Sequence, residues 1–148
     1  MARIFARITT PCLLACLAAC APPPRPSAAL GAGLVPDATP VAGRWVGTYT
    51  CAQGRTGLTL TLSAGIMGQL DARFEFYPVP GNPSVPSGAY RMAGWLTTDG
   101  HLALVGVEWI RRPPDYVMVG LSGRLAGGGR VLAGTVPECD APFSLERR

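Results

Sequence analysis

The sequence predicts an all-β fold, with about eight short antiparallel strands forming a small meander barrel and a β-sandwich as the alternative. Three observations predict it. Apolar and polar residues alternate with a period of two in repeated short runs, as half-buried strands require. Gly (19) and Pro (15) are frequent enough to punctuate those runs. No amphipathic helical stretch separates them, so there is no room for the crossovers that parallel strands need. A barrel is preferred because closure removes exposed strand edges. At 148 residues the chain has room for one domain with a genuine core.

In chain order, residues 1–19 have the parts of a secretion signal: Arg3 and Arg7 at the start, then an uncharged apolar stretch over residues 8–19. That stretch is too short to cross ~30 Å of hydrocarbon as a lasting helix. It ends in Leu17-Ala18-Ala19-Cys20, which resembles the bacterial lipobox. The resemblance implies that the Cys20 thiol takes a diacylglyceryl group and that cleavage falls just before it. The new amino group is then acylated with a fatty acid such as palmitate, and several acyl chains hold far more firmly than one. Ala21 follows the cysteine in place of the Asp that usually retains such proteins in the inner membrane. The resemblance therefore implies an anchor in the outer membrane, facing the periplasm. Residues 20–40 read as lipidated cysteine and tether, because Pro22, Pro23, Pro24, Pro26, Pro36 and Pro40 forbid a helix and favour extended chain. Fully extended, some twenty residues reach ~60 Å at most.

Residues 41–148 form the expected β domain. Trp45, Gly47, Tyr49 and Cys51 share one face of the first strand, and Leu58, Leu60 and Leu62 alternate with Thr59, Thr61 and Ser63 in the second. Leu70, Ala72, Phe74 and Phe76 alternate with Asp71, Arg73 and Glu75; Tyr90, Met92, Gly94 and Leu96 continue the pattern. Thr97-Thr98-Asp99-Gly100 reads as a tight hairpin turn, and Gly127-Gly128-Gly129 as another. Residues 101–107, 116–125, 130–136 and 142–147 supply four more strands. Residues 78–88 and 108–115 are the two longest irregular stretches, where binding residues are expected if they sit on loops.

The five cysteines divide simply. Cys12 and Cys16 leave with the signal and Cys20 is lipidated, so Cys51 and Cys139 remain. In an oxidising envelope compartment that pair is expected to form a disulfide, joining the first strand to the last. The other reading, a catalytic thiol at Cys51, lacks a nearby His. All 13 basic residues are Arg; cleavage removes two, leaving 11 Arg against 9 acids, a net charge of +2. That small excess gives little support to a nucleic-acid partner.

Catalytic chemistry is hard to assemble. The single His, His101, follows Asp99 by two residues, but a lone His beside a turn is more simply a surface residue. Zinc needs clusters of Cys, His or carboxylate that this chain lacks once its cysteines are oxidised. Nucleotide-binding glycine motifs and nucleophile elbows are absent. Asp71 and Glu75 share the polar face of one strand, where solvation explains them more simply than glycoside chemistry. No enzyme, cofactor or metal is expected. For binding, the candidates are Trp109, Arg111, Arg112 and Tyr116, grouped around Pro113-Pro114. Aromatic and Arg side chains are enriched at binding hot spots, and proline lowers the cost of ordering a loop. The simpler reading is that Trp109 and Tyr116 plug the barrel end while both Arg are solvated.

Two further strings carry resemblances. Gly47-Thr48-Tyr49-Thr50-Cys51-Ala52-Gln53-Gly54, Leu58-Thr59-Leu60-Thr61-Leu62, Pro83-Ser84-Val85-Pro86-Ser87-Gly88, Trp109-Ile110-Arg111-Arg112-Pro113 and Tyr116-Val117-Met118-Val119-Gly120-Leu121 together resemble a small domain found C-terminal to some bacterial caspase-like peptidases. That likeness spans nearly all of residues 43–148 and carries over no catalytic residue. Ala42-Gly43-Arg44-Trp45 is similar to the opening of lipocalins and bacterial metalloprotease inhibitors. The expectation is a lipid-anchored, non-catalytic envelope module that binds a protein, peptidoglycan or small ligand. The alternatives are a periplasmic inhibitor of a protease or lysozyme, a lipocalin-like carrier and an enzyme of unrecognised type.

Overall fold

The computed structural model describes residues 38–148; the stretch read as a secretion signal, Cys20 and most of the stretch read as a proline-rich tether lie outside the described residues. Eight strands follow in order: β1 (Gly43–Cys51), β2 (Gly54–Ala64), β3 (Gln69–Tyr77), β4 (Gly88–Leu96), β5 (His101–Arg111), β6 (Leu121–Ala126), β7 (Val131–Val136) and β8 (Ala141–Arg147). Each pairs antiparallel with the next, and β8 returns to β1 through pairs such as Gly47 with Leu145. The meander is therefore a closed barrel, and the sandwich alternative falls.

Period-two alternation explains which residues fill it. Trp45, Tyr49, Leu58, Leu60, Leu62, Leu70, Phe74, Phe76, Tyr90, Met92, Leu102, Leu104, Leu121, Leu132, Phe143 and Leu145 all point inward and are buried. Each large apolar side chain so buried stabilises the fold by roughly 1.5–3 kcal/mol before entropy is counted. Where closure brings backbones together, the inward position is glycine. A Cβ on Gly94 would stand 1.8 Å from the Ala103 carbonyl oxygen, and one on Gly47 would stand 2.0 Å from that of Ser144.

The two ends of the barrel differ. At one end a short 3₁₀ turn, Thr39–Val41, buries Ala38 and Val41 as a plug. The Trp45 indole donates to the Val41 carbonyl at 2.8 Å. Arg147 lies over the Trp45 ring, 4.3 Å from its centroid, and donates to the Ala42 and Pro40 carbonyls. The β1–β2, β3–β4, β5–β6 and β7–β8 connections gather at the opposite end, which we call the mouth. There Cys51 and Cys139 form the disulfide, with Cα atoms 5.2 Å apart.

Two boundaries depart from the sequence reading. Strand β5 runs on to Arg111, so much of the stretch expected to be a loop over residues 108–115 is strand. The alternation is lost because the pairing slips twice: Met92 faces Gly106 but Arg91 faces Glu108, and Tyr90 faces Trp109 but Ala89 faces Arg111. These bulges at Val107 and Ile110 break the period of two without ending the ladder. Conversely, the strand expected over 116–125 begins only at Leu121. The Tyr90 hydroxyl donates to the Val119 carbonyl at 3.0 Å and accepts the Val119 N–H at 3.2 Å, while Glu138 accepts the Gly120 N–H at 2.9 Å. With those groups engaged by side chains, the segment leaves the sheet and folds over the mouth.

Candidate binding site at the barrel mouth

The mouth is built from strand tips. Tyr49 near the end of β1, Phe76 near the end of β3 and Tyr90 near the start of β4 are inward positions of their strands. They are carried to one end because antiparallel neighbours alternate in direction. Their rings belong to one aromatic column. Phe74 stacks on Tyr90 at 4.6 Å and meets Tyr49 edge-on at 5.3 Å, and Tyr116 stacks on Phe76 at 5.3 Å. Below this level apolar side chains fill the barrel. Above it a cavity of about 370 Å³ remains, lined by Tyr49, Phe76, Tyr90, Tyr116, Gln53, Val119, Asp115, Glu138 and the disulfide, among others. That volume is within the range of small-ligand sites, as is the combination of apolar walls with a few polar groups.

Burial sets the state of the two tyrosine hydroxyls. Desolvation raises the Tyr90 phenol well above its usual range, and the nearby Glu138 charge pushes the same way. Tyr49 is raised likewise by burial, while its hydroxyl accepts a bond from the Gln53 side-chain amide at 3.0 Å. Both phenols therefore keep their protons and act as neutral polar groups in an aromatic wall. Asp115 and Glu138 are the charged residues on the lining. Asp115 occupies a left-handed conformation, φ 61°, in the turn after Pro113-Pro114.

Of the four binding candidates read from the sequence, the fold keeps Trp109, Arg112 and Tyr116 together and sets Arg111 apart. Tyr116 lines the mouth. Trp109 is turned inward after the Val107 bulge and packs edge-on against Tyr90 at 5.1 Å, supporting the aromatic wall from behind. Arg112 lies 5.9 Å from the centroid of the Trp109 ring and donates to the Tyr116 carbonyl at 3.3 Å. Arg111 is on the outer wall, in a groove with Arg44, Glu75 and Ser87. Trp109 therefore packs within the barrel end, while Tyr116 borders the cavity. The longer loop, residues 78–88, is tied down: the Asn82 amide donates to the Gln53 carbonyl at 2.6 Å, and Val85 is buried. A second hollow beside it has no aromatic lining.

Tyr49, Phe76 and Tyr90 are legible in the sequence as core-face residues, but not as a site. Glu138 carries no sequence signal, since it is the β6–β7 register, with Ser122 opposite Thr135, that brings the turn after β7 to Gly120. Three of the polar residues weighed for catalysis, His101, Asp99 and Glu75, have partners away from the mouth. His101 Nε2 is 2.9 Å from the Ser122 hydroxyl on the outer wall, Asp99 pairs with Arg124 at 2.6 Å, and Glu75 pairs with Arg73 at 3.0 Å.

No family model, curated protein or solved structure gives a match to this chain.

Proposed function

We propose that this protein is a lipid-anchored, non-catalytic binding module of the bacterial cell envelope that takes its ligand in the barrel mouth. The observation that carries the reading is the mouth cavity. It is an aromatic-walled recess of about 370 Å³ over a filled barrel, held open by the disulfide and by the segment that Tyr90 fastens across it. A stiff recess with few polar groups loses little freedom on binding, which suits recognition. The lipobox-like Leu17-Ala18-Ala19-Cys20 supports the anchor, and the absence of an Asp after it supports an outer-membrane address facing the periplasm. The chain enters the barrel at the plugged end, so an anchor on the preceding segment is joined to the end opposite the mouth. An envelope protein, peptidoglycan or a small ligand is the partner class.

The test is site-specific photo-crosslinking in intact cells, with a photoreactive phenylalanine analogue at Tyr116 and, as control, at Trp95 on the exposed outer wall. A discrete adduct from position 116 and none from 95 is the expected result. Adducts from 95 alone, or equal labelling at both, overturn the mouth as the binding site.

A further inference from the structure

We infer that the mouth selects a small organic ammonium ion, an inference that rests on the binding reading above and names the ligand class for the same cavity. The argument begins with charge. Residues 38–148 contain 10 Arg and 8 acids, a net charge of +2, yet the charged side chains lining the mouth are two carboxylates, Asp115 and Glu138. The arginines at this end are directed elsewhere. Arg55 donates to the Thr48 hydroxyl at 3.3 Å, Arg111 lies in the outer groove, and Arg112 is held by the Tyr116 carbonyl and the Trp109 ring. A basic domain thus presents an acidic opening.

The walls fit the same cation. Tyr49, Phe76, Tyr90 and Tyr116 all contribute to the lining, and an aromatic face attracts a cation within about 6 Å of its centre. An anion would meet the two carboxylates, which carry the wrong sign for it. Glu138 already accepts the Gly120 N–H through one oxygen, which fixes its carboxylate at the rim. The cavity volume admits an ammonium group with an apolar portion of about the size of one aromatic ring.

The test uses three probes of one shape and different charge: benzylammonium, benzyl alcohol and benzoate. Each is titrated by NMR into the full-length protein in a non-ionic detergent, with a detergent-only blank. Benzylammonium should bind roughly tenfold more tightly than benzyl alcohol, and benzoate more weakly than either. The double variant Asp115→Asn with Glu138→Gln should lose most of that preference. Asn tolerates the left-handed conformation and Gln can still accept from Gly120, so thermal unfolding should stay near that of the wild type. Equal binding of benzylammonium and benzyl alcohol, abolished by Tyr116→Ala, would overturn the cation inference and leave the binding reading standing. Binding of none of the three overturns the cation inference alone, and the crosslinking at position 116 decides the binding reading separately. An ammonium preference that survives in the double variant also refutes the role given to the carboxylates.

Discussion

Tyr90 ties the core to the site. Its ring is 1% exposed and stacks on Phe74, while its hydroxyl meets both backbone groups of Val119. Replacing it with Phe keeps the packing and strands those two groups. Tyr90→Phe should therefore cost roughly 1–3 kcal/mol in urea unfolding, and the Val119 and Gly120 amides should exchange faster with solvent. Unchanged exchange would mean that the hydroxyl does not hold the segment. Asp99 offers a pH signature at the other end. The Thr97 hydroxyl, and then Arg124, stabilise its carboxylate and lower its pKa from 3.8 to about 2. A carboxyl with a lower pKa folded than unfolded binds fewer protons in the folded state. Its stabilisation is thus present above about pH 4 and lost as the pH falls through 2. In thermal unfolding between pH 2 and 5, Asp99→Asn should flatten the acid slope and change nothing in its shape at pH 7.

Among the elements, β5 is the informative one. Its lower half was legible because Leu102 and Leu104 alternate cleanly with Ala103 and Val105. Its upper half was not, because two bulges put Trp109 indoors at a position that a strict period assigns to the outside. A bulge forms only when the partner strand is present, so no local signal announces it. β6 shows the reverse error. The run from Tyr116 to Leu121 looks like strand, but Tyr90 and Glu138, 29 residues before Val119 and 18 after Gly120, engage its backbone. Glycines at inward positions are the other element-scale device. Gly94→Ala forces a methyl group into the Ala103 carbonyl, and overpacking of this kind costs about 1–3 kcal/mol. Gly100→Ala, at an exposed turn, should show a smaller loss arising from its positive φ alone. Equal losses at both sites in denaturant titrations would show that close backbone approach is not what closes the barrel.

For the whole molecule, the disulfide spans 88 residues and fastens the end of β1 to the turn before β8. Closing a loop of that length in the unfolded chain is worth about 4–5 kcal/mol in the entropy model. The double variant Cys51→Ser with Cys139→Ser should lower the midpoint of thermal unfolding, and benzylammonium binding should weaken because the pair lines the mouth. Non-reducing mass spectrometry that found free thiols at both positions in the isolated protein would contradict the pairing. The proposed anchor has its own check: Cys20→Ser should abolish incorporation of labelled palmitate, and label that persists would place the lipid elsewhere.

The sequence alone determined the class of fold, the inward residues of most strands, the turns and the pairing of Cys51 with Cys139. These follow from local periodicity, from turn chemistry and from a cysteine count, none of which needs a partner strand to be known. Only the tertiary structure decided that the sheet closes, that Trp109 turns inward, and that Tyr49, Phe76, Tyr90, Tyr116 and Glu138 meet around one cavity. Those facts depend on the register and bulges of each strand against its partner and on the return of β8 to β1, and a site made from strand tips exists only once the barrel has brought the tips together.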